Sequence, residues 1–200
     1  MTILGITGPT GAGKSLLSDY LASKGFPVID ADQVYHSLLL SPSPCLDALH
    51  AAFGASIFLE DGSLNRPALS EIVFHDEQKL ALLNRTVLDF VLDRIRQMIA
   101  KLEQQGKTVV AIDAPTLIES GFHKECDTVI SVLSPQKLRL ERILARDGIG
   151  REAAEARIHA QKSDEFYRAH SDHILINDGK KEDFFVSCEQ LLRSLECPLT

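Results

Sequence analysis

Residues 8–15 constrain what this chain can fold into more than any other stretch. They read GPTGAGKS and match the pattern G-x-x-x-x-G-K-[ST], a loop whose backbone N–H groups surround a polyphosphate. In such a loop Lys14 reaches the β- and γ-phosphates, and the Ser15 hydroxyl is placed to bind Mg²⁺. The motif predicts binding of a nucleoside triphosphate and leaves open what is done with it.

The residues on either side supply the context that this loop needs. Residues 3–7 form an apolar run that predicts a buried parallel strand. After the loop, Leu17, Tyr20 and Leu21 fall on one helical face, and Gly25 stands where a helix C-cap is expected. Strand, loop and helix therefore come in the required order, and we expect an α/β fold with a parallel sheet.

Composition and charge exclude several classes of protein. The chain has 200 residues, of which 44% are hydrophobic and 24% charged, which predicts one globular domain. A net charge of −7 argues against a large nucleic-acid surface. We find neither an apolar run long enough to cross a membrane nor a signal sequence, so we expect no membrane partner and a cytoplasmic location. The scattered cysteines predict reduced thiols with a structural role or none: Cys45, Cys126, Cys188 and Cys197.

A second strand is expected at residues 26–30, followed closely by Asp32 and His36. If this strand lies beside the first one, Asp30 and Asp32 stand near the phosphate loop, because polar groups at the carboxyl ends of parallel strands face the ligand crevice. The residues alone leave two interpretations of the aspartates open. They either accept a proton from an acceptor hydroxyl and help to hold hydrated Mg²⁺, or they cap a helix. An isolated histidine such as His36 is more often a packing residue than a catalyst.

Residues 41–105 lack the strand–helix alternation of their flanks. The Ser-Pro-Ser-Pro sequence at 41–44 breaks the chain, and a turn at 61–67 puts Pro67 at the first position of a new helix. From residue 77 to 105 apolar residues recur every three or four positions, which predicts one long amphipathic helix or two joined ones. We interpret the segment as a helical insertion that holds a phosphate acceptor. Arg66 is then an anion contact or an exposed arginine at a helix entry.

The remaining strands are expected at residues 107–113, 127–133 and 173–177. The first ends in Asp113, the general form of a magnesium-shell carboxylate. The helix after the second carries Arg142 and Arg146 four positions apart, hence on one face. These arginines either neutralise charge in phosphoryl transfer or form a solvated face paired with Glu141 and Asp147.

The expected organisation is one domain in three parts. The core covers about 1–40, 106–146 and 166–200, the helical acceptor-binding insertion about 41–105, and a helical lid about 147–165. The lid is inferred from the Gly-rich break at 147–151 and the few large apolar residues in the helical stretch that follows it.

Taken together, the ordered motifs resemble the dephospho-CoA kinase family over roughly residues 3–180. Besides the loop, the resemblance rests on VIDAD at 28–32, DGSLNR at 61–66 and DAPTLIESG at 113–121, and on further matches that follow in order: Arg142, Arg146-Asp147, Arg157, Gln161, Asn177 and Gly179. The chain departs from the family pattern in the variable loop positions, in Thr116, which replaces a leucine, and in the lack of a His-Pro pair after Asn84. The missing pair falls in the expected acceptor region.

The resemblance implies a three-layer P-loop kinase fold and transfer of the ATP γ-phosphate to the ribose 3′-hydroxyl of dephospho-CoA, giving coenzyme A and ADP. It implies Asp32, Lys14 and Arg142 as catalytic residues. The implied ATP-binding residues are Gly11, Ala12, Gly13, Lys14, Ser15, Leu16, Arg146 and Asn177. The implied acceptor-binding residues are Asp32, His36, Arg66, Pro115, Leu117 and Glu119. Mg²⁺ is expected on Ser15, with Asp32 and Asp113 acting through water, and the expected assembly is a monomer or a small homo-oligomer.

Two other functions compete with this one. A nucleoside monophosphate kinase would have a similar insertion and lid, but Asp32 beside a hydroxyl favours an alcohol acceptor over a phosphate acceptor. A GTP-driven switch would need an Asn-Lys-x-Asp motif to recognise guanine, and the sequence contains none.

Overall fold

The computed structural model describes residues 1–40, 42–74 and 76–195. The chain divides into two compact units. The sheet unit comprises Met1–Ile29 and, within the described residues, 102–195. The helical unit comprises the described residues of Asp30–Lys101.

Five strands form one parallel sheet in the order β2-β3-β1-β4-β5. They are β1 (Thr2–Thr7), β2 (Val28–Asp30), β3 (Val109–Asp113), β4 (Thr128–Leu133) and β5 (His173–Ile176). The predicted α/β fold with a parallel sheet is confirmed. The sequence placed Asp30 and Asp32 near the phosphate loop on the condition that β2 lies beside β1. That condition is not met, because β3 pairs with β1 along its whole length and separates the two. The almost completely buried β3 suits an inner position, whereas the three-residue β2 is an edge strand.

The helices of the described residues follow the periodicity of the sequence. They are α1 (Lys14–Ser23), α2 (Ala31–Leu38), α3 (Pro44–Phe53), α4 (Arg66–Phe74), α5 (Glu77–Gln104), α6 (Gln136–Asp147), α7 (Arg151–His159), α8 (Asp164–Ala169) and α9 (Lys181–Ser194). The stretch expected to be one long helix or two is the single helix α5. Pro67 is the second rather than the first residue of α4, and the short helix α8 was not predicted.

Apolar side chains cover the sheet and fix the helices on it. Leu4 and Ile6 of β1 are fully buried in one cluster with residues of α1 and α9 such as Leu21 and Phe184. Alternate strand positions point to the other face, where Leu133 of β4 packs with Ile118 and with Tyr167 of α8. The sheet unit is therefore layered, with its strands between helices.

Two further clusters organise the rest of the chain. Within the sheet unit, α7 packs on α6 through a small cluster: Leu140, Ile143, Ala154 and Ile158. The helical unit has its own core, in which Leu49, Ile57 and Leu83 are buried. No described helix has the length and apolar character needed to cross a membrane. Of the predicted features, Ser41 in the chain break and Cys197 lie outside the described residues.

Candidate active site

The phosphate loop connects β1 to α1 and has a conformation that requires glycine. Gly13, at the N-cap of α1, has a φ of 106°, in the left-handed region that glycine adopts readily. A β-carbon at Gly13 would collide with the side-chain amide of Asn177. A β-carbon at Gly8, which has a φ of 136°, would likewise collide with the Val132 carbonyl. The glycines therefore allow the loop to pass tightly against β4 and the end of β5.

The first turn of α1 presents positive charge and donors to this loop. The Lys14 ammonium donates a hydrogen bond of 2.7 Å to the Gly8 carbonyl, so the side chain lies along the loop. Ser15 follows and is exposed. Because Gly13 has no side chain to cap α1, no capping group occupies the start of this helix, where the helix dipole favours an anion. This geometry fits the predicted phosphate-binding roles of Lys14 and Ser15.

Arg142 holds the loop from α6. Its Nη1 donates to the Gly11 carbonyl at 3.1 Å and to the Ser134 hydroxyl at 3.0 Å, and its Nη2 donates to the Asn177 carbonyl at 3.1 Å. Asn177 itself donates from Nδ2 to the Ala12 carbonyl at 2.8 Å. Arg142 and Asn177, predicted from distant parts of the sequence, thus meet on the phosphate loop.

Arg146 has different partners in the structure. Its Nε donates to Asp147 at 2.6 Å, and its side chain is 62% exposed. The hydrogen bond from Arg146 lowers the pKa of the Asp147 carboxyl, and the nearby positive charges of Arg146 and Arg157 lower it further. Of the two alternatives left open for these arginines, Arg146 and Asp147 therefore form the solvated pair, whereas Arg142 faces the loop. A role for Arg146 in ATP binding stays a prediction.

A cavity of about 280 Å³ lies beside the loop in the sheet unit. It is lined by Gly13, Leu16, Arg142, Asn177, Gly179 and Lys181. Leu16 and Asn177 were predicted as ATP-binding residues, and their place here suits a base next to the phosphates. Lys181, at the start of α9, was not predicted, because a lysine opening a helix has no distinguishing pattern in one sequence.

Asp113 lies at the carboxyl end of β3 and contacts α1. Its Oδ2 accepts a hydrogen bond of 2.6 Å from the Ser18 hydroxyl. Ser18 is three positions after Ser15, so the two hydroxyls share a face of α1. Asp113 therefore stands beside the helical face that carries the predicted Mg²⁺ ligand.

Arg139 and Gln161 also contact the loop, and sequence reasoning did not assign either to the site. Arg139 is 5% exposed and donates from Nε to the Thr10 carbonyl at 2.9 Å. The Thr10 N–H donates to Gln161 Oε1 at 2.8 Å. A sequence pattern for Arg139 existed, because it lies four positions before Ile143 on the buried stripe of α6. Gln161 is among the residues that carry the family resemblance, but the resemblance gave it no role.

The helical unit contains the other predicted catalytic residue, Asp32. Here Asp30 caps α2, since its Oδ1 accepts hydrogen bonds from the N–H groups of Asp32 at 2.8 Å and Gln33 at 3.1 Å. The capping interpretation is thus confirmed for Asp30. Asp32 lies in the first turn of α2, after the cap.

His36 and Arg66, both predicted to bind the acceptor, meet in the helical unit. Arg66 Nη1 lies 3.4 Å from His36 Nδ1. Together with Tyr35 they line a cavity of about 140 Å³ whose other walls are largely apolar, including Leu69 and Leu83. Burial raises the pKa of the Tyr35 hydroxyl, and the charge of Arg66 partly opposes this effect. The cavity thus combines one cationic group with apolar walls.

The predicted acceptor residues after β3 belong to the sheet unit. The Pro115 carbonyl accepts a hydrogen bond of 3.2 Å from the buried Thr7 hydroxyl, Leu117 is fully buried, and Glu119 is exposed. The part of these residues in acceptor binding stays a prediction.

Comparison with known proteins identifies the family of this chain. The family model described as dephospho-CoA kinase matches residues 2–183. A dephospho-CoA kinase from Thermobifida fusca is 36% identical over 196 residues, which are 98% of this chain and 97% of the relative. Another, from Arabidopsis thaliana, is 34% identical over 200 residues, which are 100% of this chain and 86% of the relative.

Solved structures agree with the sequence relatives. The dephospho-CoA kinase from Campylobacter jejuni has a TM-score of 0.72 at 26% identity, with 96% of each chain covered. A shikimate kinase from Acinetobacter baumannii, solved with shikimate, has a TM-score of 0.58 at 20% identity, covering 99% of this chain and 96% of that one, which shows a shared fold. The phosphate loop, the sheet order and the match over nearly the whole length agree: the chain belongs to the dephospho-CoA kinase family.

Proposed function

We propose that the phosphate loop, Asp32 and Arg142 carry out the family's reaction in this chain, with transfer of the ATP γ-phosphate to the ribose 3′-hydroxyl of dephospho-CoA. The chain has dephospho-CoA kinase activity, the final step of coenzyme A biosynthesis. The observation that carries the assignment of the loop and Arg142 is that Lys14, Arg142 and Asn177 converge on the backbone of residues 8–13.

Binding of ATP would use groups that already face one another. Backbone N–H groups within residues 11–15 donate to the phosphates, and Lys14 exchanges its contact with the Gly8 carbonyl for phosphate oxygens. The adenine occupies the cavity of about 280 Å³ beside Leu16 and Asn177. That cavity opens next to Gly13, so a base there is within reach of phosphates held by the loop.

Arg142 would neutralise charge on the transferring phosphoryl group. The transition state of phosphoryl transfer is loose and needs positioning and charge stabilisation rather than a covalent intermediate. Nη1 and Nη2 of Arg142 already contact the carbonyls of Gly11, Ala12 and Asn177, so the guanidinium is held beside the loop before the substrate arrives. A preset position of this kind lowers the reorganisation needed during reaction.

Asp32 would accept the proton of the ribose hydroxyl, or orient that hydroxyl for attack. Asp30 supplies the helix cap, so the Asp32 carboxylate is not needed for that purpose. A cation beside apolar walls, as in the cavity of His36 and Arg66, suits an acceptor that combines phosphate groups with an uncharged arm. We assign acceptor binding to these residues.

The residues around Ser15 fit a hydrated Mg²⁺. Hydroxyl and carboxylate oxygens are the ligands that this ion prefers, and it keeps several waters and substrate phosphates in its shell. Ser15 would bind it directly and Asp113 through water, since both lie on the same side of α1. Within the described residues no group of three or more potential metal-binding side chains is present, which suits an ion held mainly by phosphates. Bound Mg²⁺ would neutralise phosphate charge.

The location of the protein and its oligomeric state remain proposals. The free thiols of Cys45, Cys126 and Cys188 support a reducing, cytoplasmic location. We also propose that the protein is a monomer or a small homo-oligomer.

The test measures ADP release with MgATP and dephospho-CoA, with AMP, CMP and no acceptor as controls. Asp32→Asn should lower kcat by about 10² or more, because it removes a general base, while MgATP still binds. Asp30→Asn is the matched control, since asparagine caps helices about as well as aspartate. Equal activity of Asp32→Asn and the wild type would reject the role of Asp32. Turnover with a nucleoside monophosphate alone would reject the assigned acceptor.

A further inference from the structure

Thr10 lies in a turn of the phosphate loop and is held from outside by two side chains. The Ala12 N–H donates to the Pro9 carbonyl at 3.2 Å, which closes a turn with Thr10 at one of its corners. The Thr10 N–H donates to Gln161 Oε1 at 2.8 Å, and its carbonyl accepts from Arg139 Nε at 2.9 Å. Both polar backbone groups of Thr10 therefore depend on side chains far away in the sequence.

The two side chains also bind each other. Arg139 Nη2 donates to Gln161 Oε1 at 2.9 Å, so that oxygen accepts two hydrogen bonds. The result is a closed network of Thr10, Arg139 and Gln161, which we call the Thr10 network. A closed network fixes the position of its backbone member more strictly than a single contact, because no member can move without breaking two bonds.

Because Arg139 is buried, its guanidinium depends on these hydrogen bonds. Arg139 is 5% exposed, and burial lowers the pKa of its guanidinium, an effect that the charge of Asp164 partly opposes. Its hydrogen-bond acceptors in the network are neutral oxygens, and the opposing charge nearby is that of Asp164. A buried guanidinium is tolerated only when hydrogen bonds replace its water. An apolar side chain could fill the same space but would leave the Thr10 carbonyl without this donor.

We propose that Arg139 and Gln161 are positioning residues that set the loop for ATP. They hold Thr10 so that the turn at residues 9–12 keeps the shape in which the following N–H groups point at the phosphates. Binding of an anion by backbone N–H groups gains from such preorganisation, because the ordering is complete before the ligand arrives. The inference rests on the proposed function only in naming ATP as the ligand.

The Thr10 network also links the loop to the helical hairpin of α6 and α7. Gln161 follows the C-cap of α7, Ala160, and α7 is packed on α6 by Ile143 and Ile158. A shift of α7 would move Gln161 and thereby the Thr10 N–H. ATP bound in the loop should accordingly reduce the mobility of the chain around Gln161.

The test compares Gln161→Met with Gln161→Glu. Methionine matches the length of glutamine without an oxygen, whereas glutamate keeps an acceptor for both the Thr10 N–H and Arg139. Gln161→Met should raise the Kd and KM for ATP about 10-fold, since two part-buried donors, the Thr10 N–H and Arg139 Nη2, lose their acceptor. It should also speed hydrogen exchange of the loop amides and leave the KM for dephospho-CoA unchanged. Gln161→Glu should restore the Kd for ATP to within about three-fold of the wild type.

Two further variants make the test decisive. Gln97→Met is the matched control. Gln97 is exposed on α5 and accepts a hydrogen bond of 3.4 Å from Arg94, and loss of this bond should change none of these values. Arg139→Lys keeps the charge but cannot serve Thr10 and Gln161 with the same two nitrogens, so it should weaken ATP binding in the same direction.

Three results would overturn the inference: wild-type ATP affinity in Gln161→Met, equal loss in Gln161→Met and Gln161→Glu, or unchanged exchange of the loop amides. ATP binding and hydrogen exchange are measured without an acceptor. A wild-type protein that binds ATP but does not phosphorylate dephospho-CoA would therefore reject the proposed function and leave these readouts to decide the role of the Thr10 network.

Discussion

Replacing Arg142 with lysine separates the charge of this side chain from its shape. The guanidinium serves two sets of acceptors: Nη1 contacts the Gly11 and Ala12 carbonyls and the Ser134 hydroxyl, and Nη2 contacts the carbonyl and Oδ1 of Asn177. A lysine ammonium occupies one point and can replace only one of these nitrogens. At least the two acceptors of one nitrogen lose their donor.

The magnitude follows from those two hydrogen bonds. At about 1 kcal/mol each for a half-buried group, Arg142→Lys should lower the free energy of unfolding by about 2 kcal/mol. For a chain of this size that loss corresponds to a fall in Tm of about 4–8 °C. The effect on catalysis should be larger, because the transferring phosphoryl group loses a forked donor. We expect kcat to fall by about 10² in Arg142→Lys and by about 10³, or about 4 kcal/mol, in Arg142→Met.

The assay is steady-state ADP release with saturating MgATP, together with thermal unfolding of the same samples. Arg193→Lys on α9 is the control, since Arg193 forms an exposed ion pair of 2.6 Å with Glu189, and exposed pairs contribute little. If Arg142→Lys lost stability but kept kcat within about three-fold of the wild type, Arg142 would be a structural clamp of the loop and not a transition-state contact.

Three other predictions follow from the same structure. Gly13→Ala should abolish the rise in Tm that ATP causes in the wild type, because alanine is strained at the φ of 106° and its β-carbon would collide with the Asn177 amide. A normal rise would contradict the close approach of Gly13 to Asn177. Burial raises the pKa of the Cys126 thiol to about 12. At pH 8 its alkylation, followed by mass spectrometry, should therefore be slower in the folded protein than in urea by at least about 10³. A ratio of the two rates under about 10 would refute this. The pKa of Asp147 is lowered by Arg146, so the ionised carboxylate stabilises the fold at pH values above its unfolded pKa of about 3.9, and this effect is lost as the pH falls through its folded pKa. The Tm of Asp147→Asn should therefore be below that of the wild type at pH 7, and the difference in Tm should shrink below about pH 4.

Local patterns predicted the elements of this protein well. The loop motif, the buried strands and the helical character of α5 follow from spacing within a few residues of one another, although spacing left open whether α5 is one helix or two. The position of β2 does not. Which parallel strands are neighbours depends on how the chain crosses over between them, and residues 26–30 contain no information about β3.

The candidate site shows the same division between local and distant information. Three arginines lie on α6, and spacing alone did not separate Arg142 from Arg146, which were expected on one face. Packing of Ile143 decides this: Arg139 and Arg142 turn towards the loop, while Arg146 pairs with Asp147 at the surface. The Thr10 network could not be predicted, because the hydrogen bond between Thr10 and Gln161 joins residues that are 151 positions apart.

The central place of β1 also affects how the protein is made. Both of its partners, β3 and β4, come from the second half of the chain, and the hydrogen bond between Ala12 and Asn177 spans 165 positions. Contacts of such long range form slowly, and during synthesis they have to wait for the later residues to emerge. At about 5–20 residues per second, the ribosome needs roughly 8–33 s to extend the chain from the loop to Asn177. Until these residues have emerged, the nascent phosphate loop lacks its contacts with Arg139, Arg142 and Asn177. The loop is translated before all three, so it becomes competent for ATP only late in synthesis.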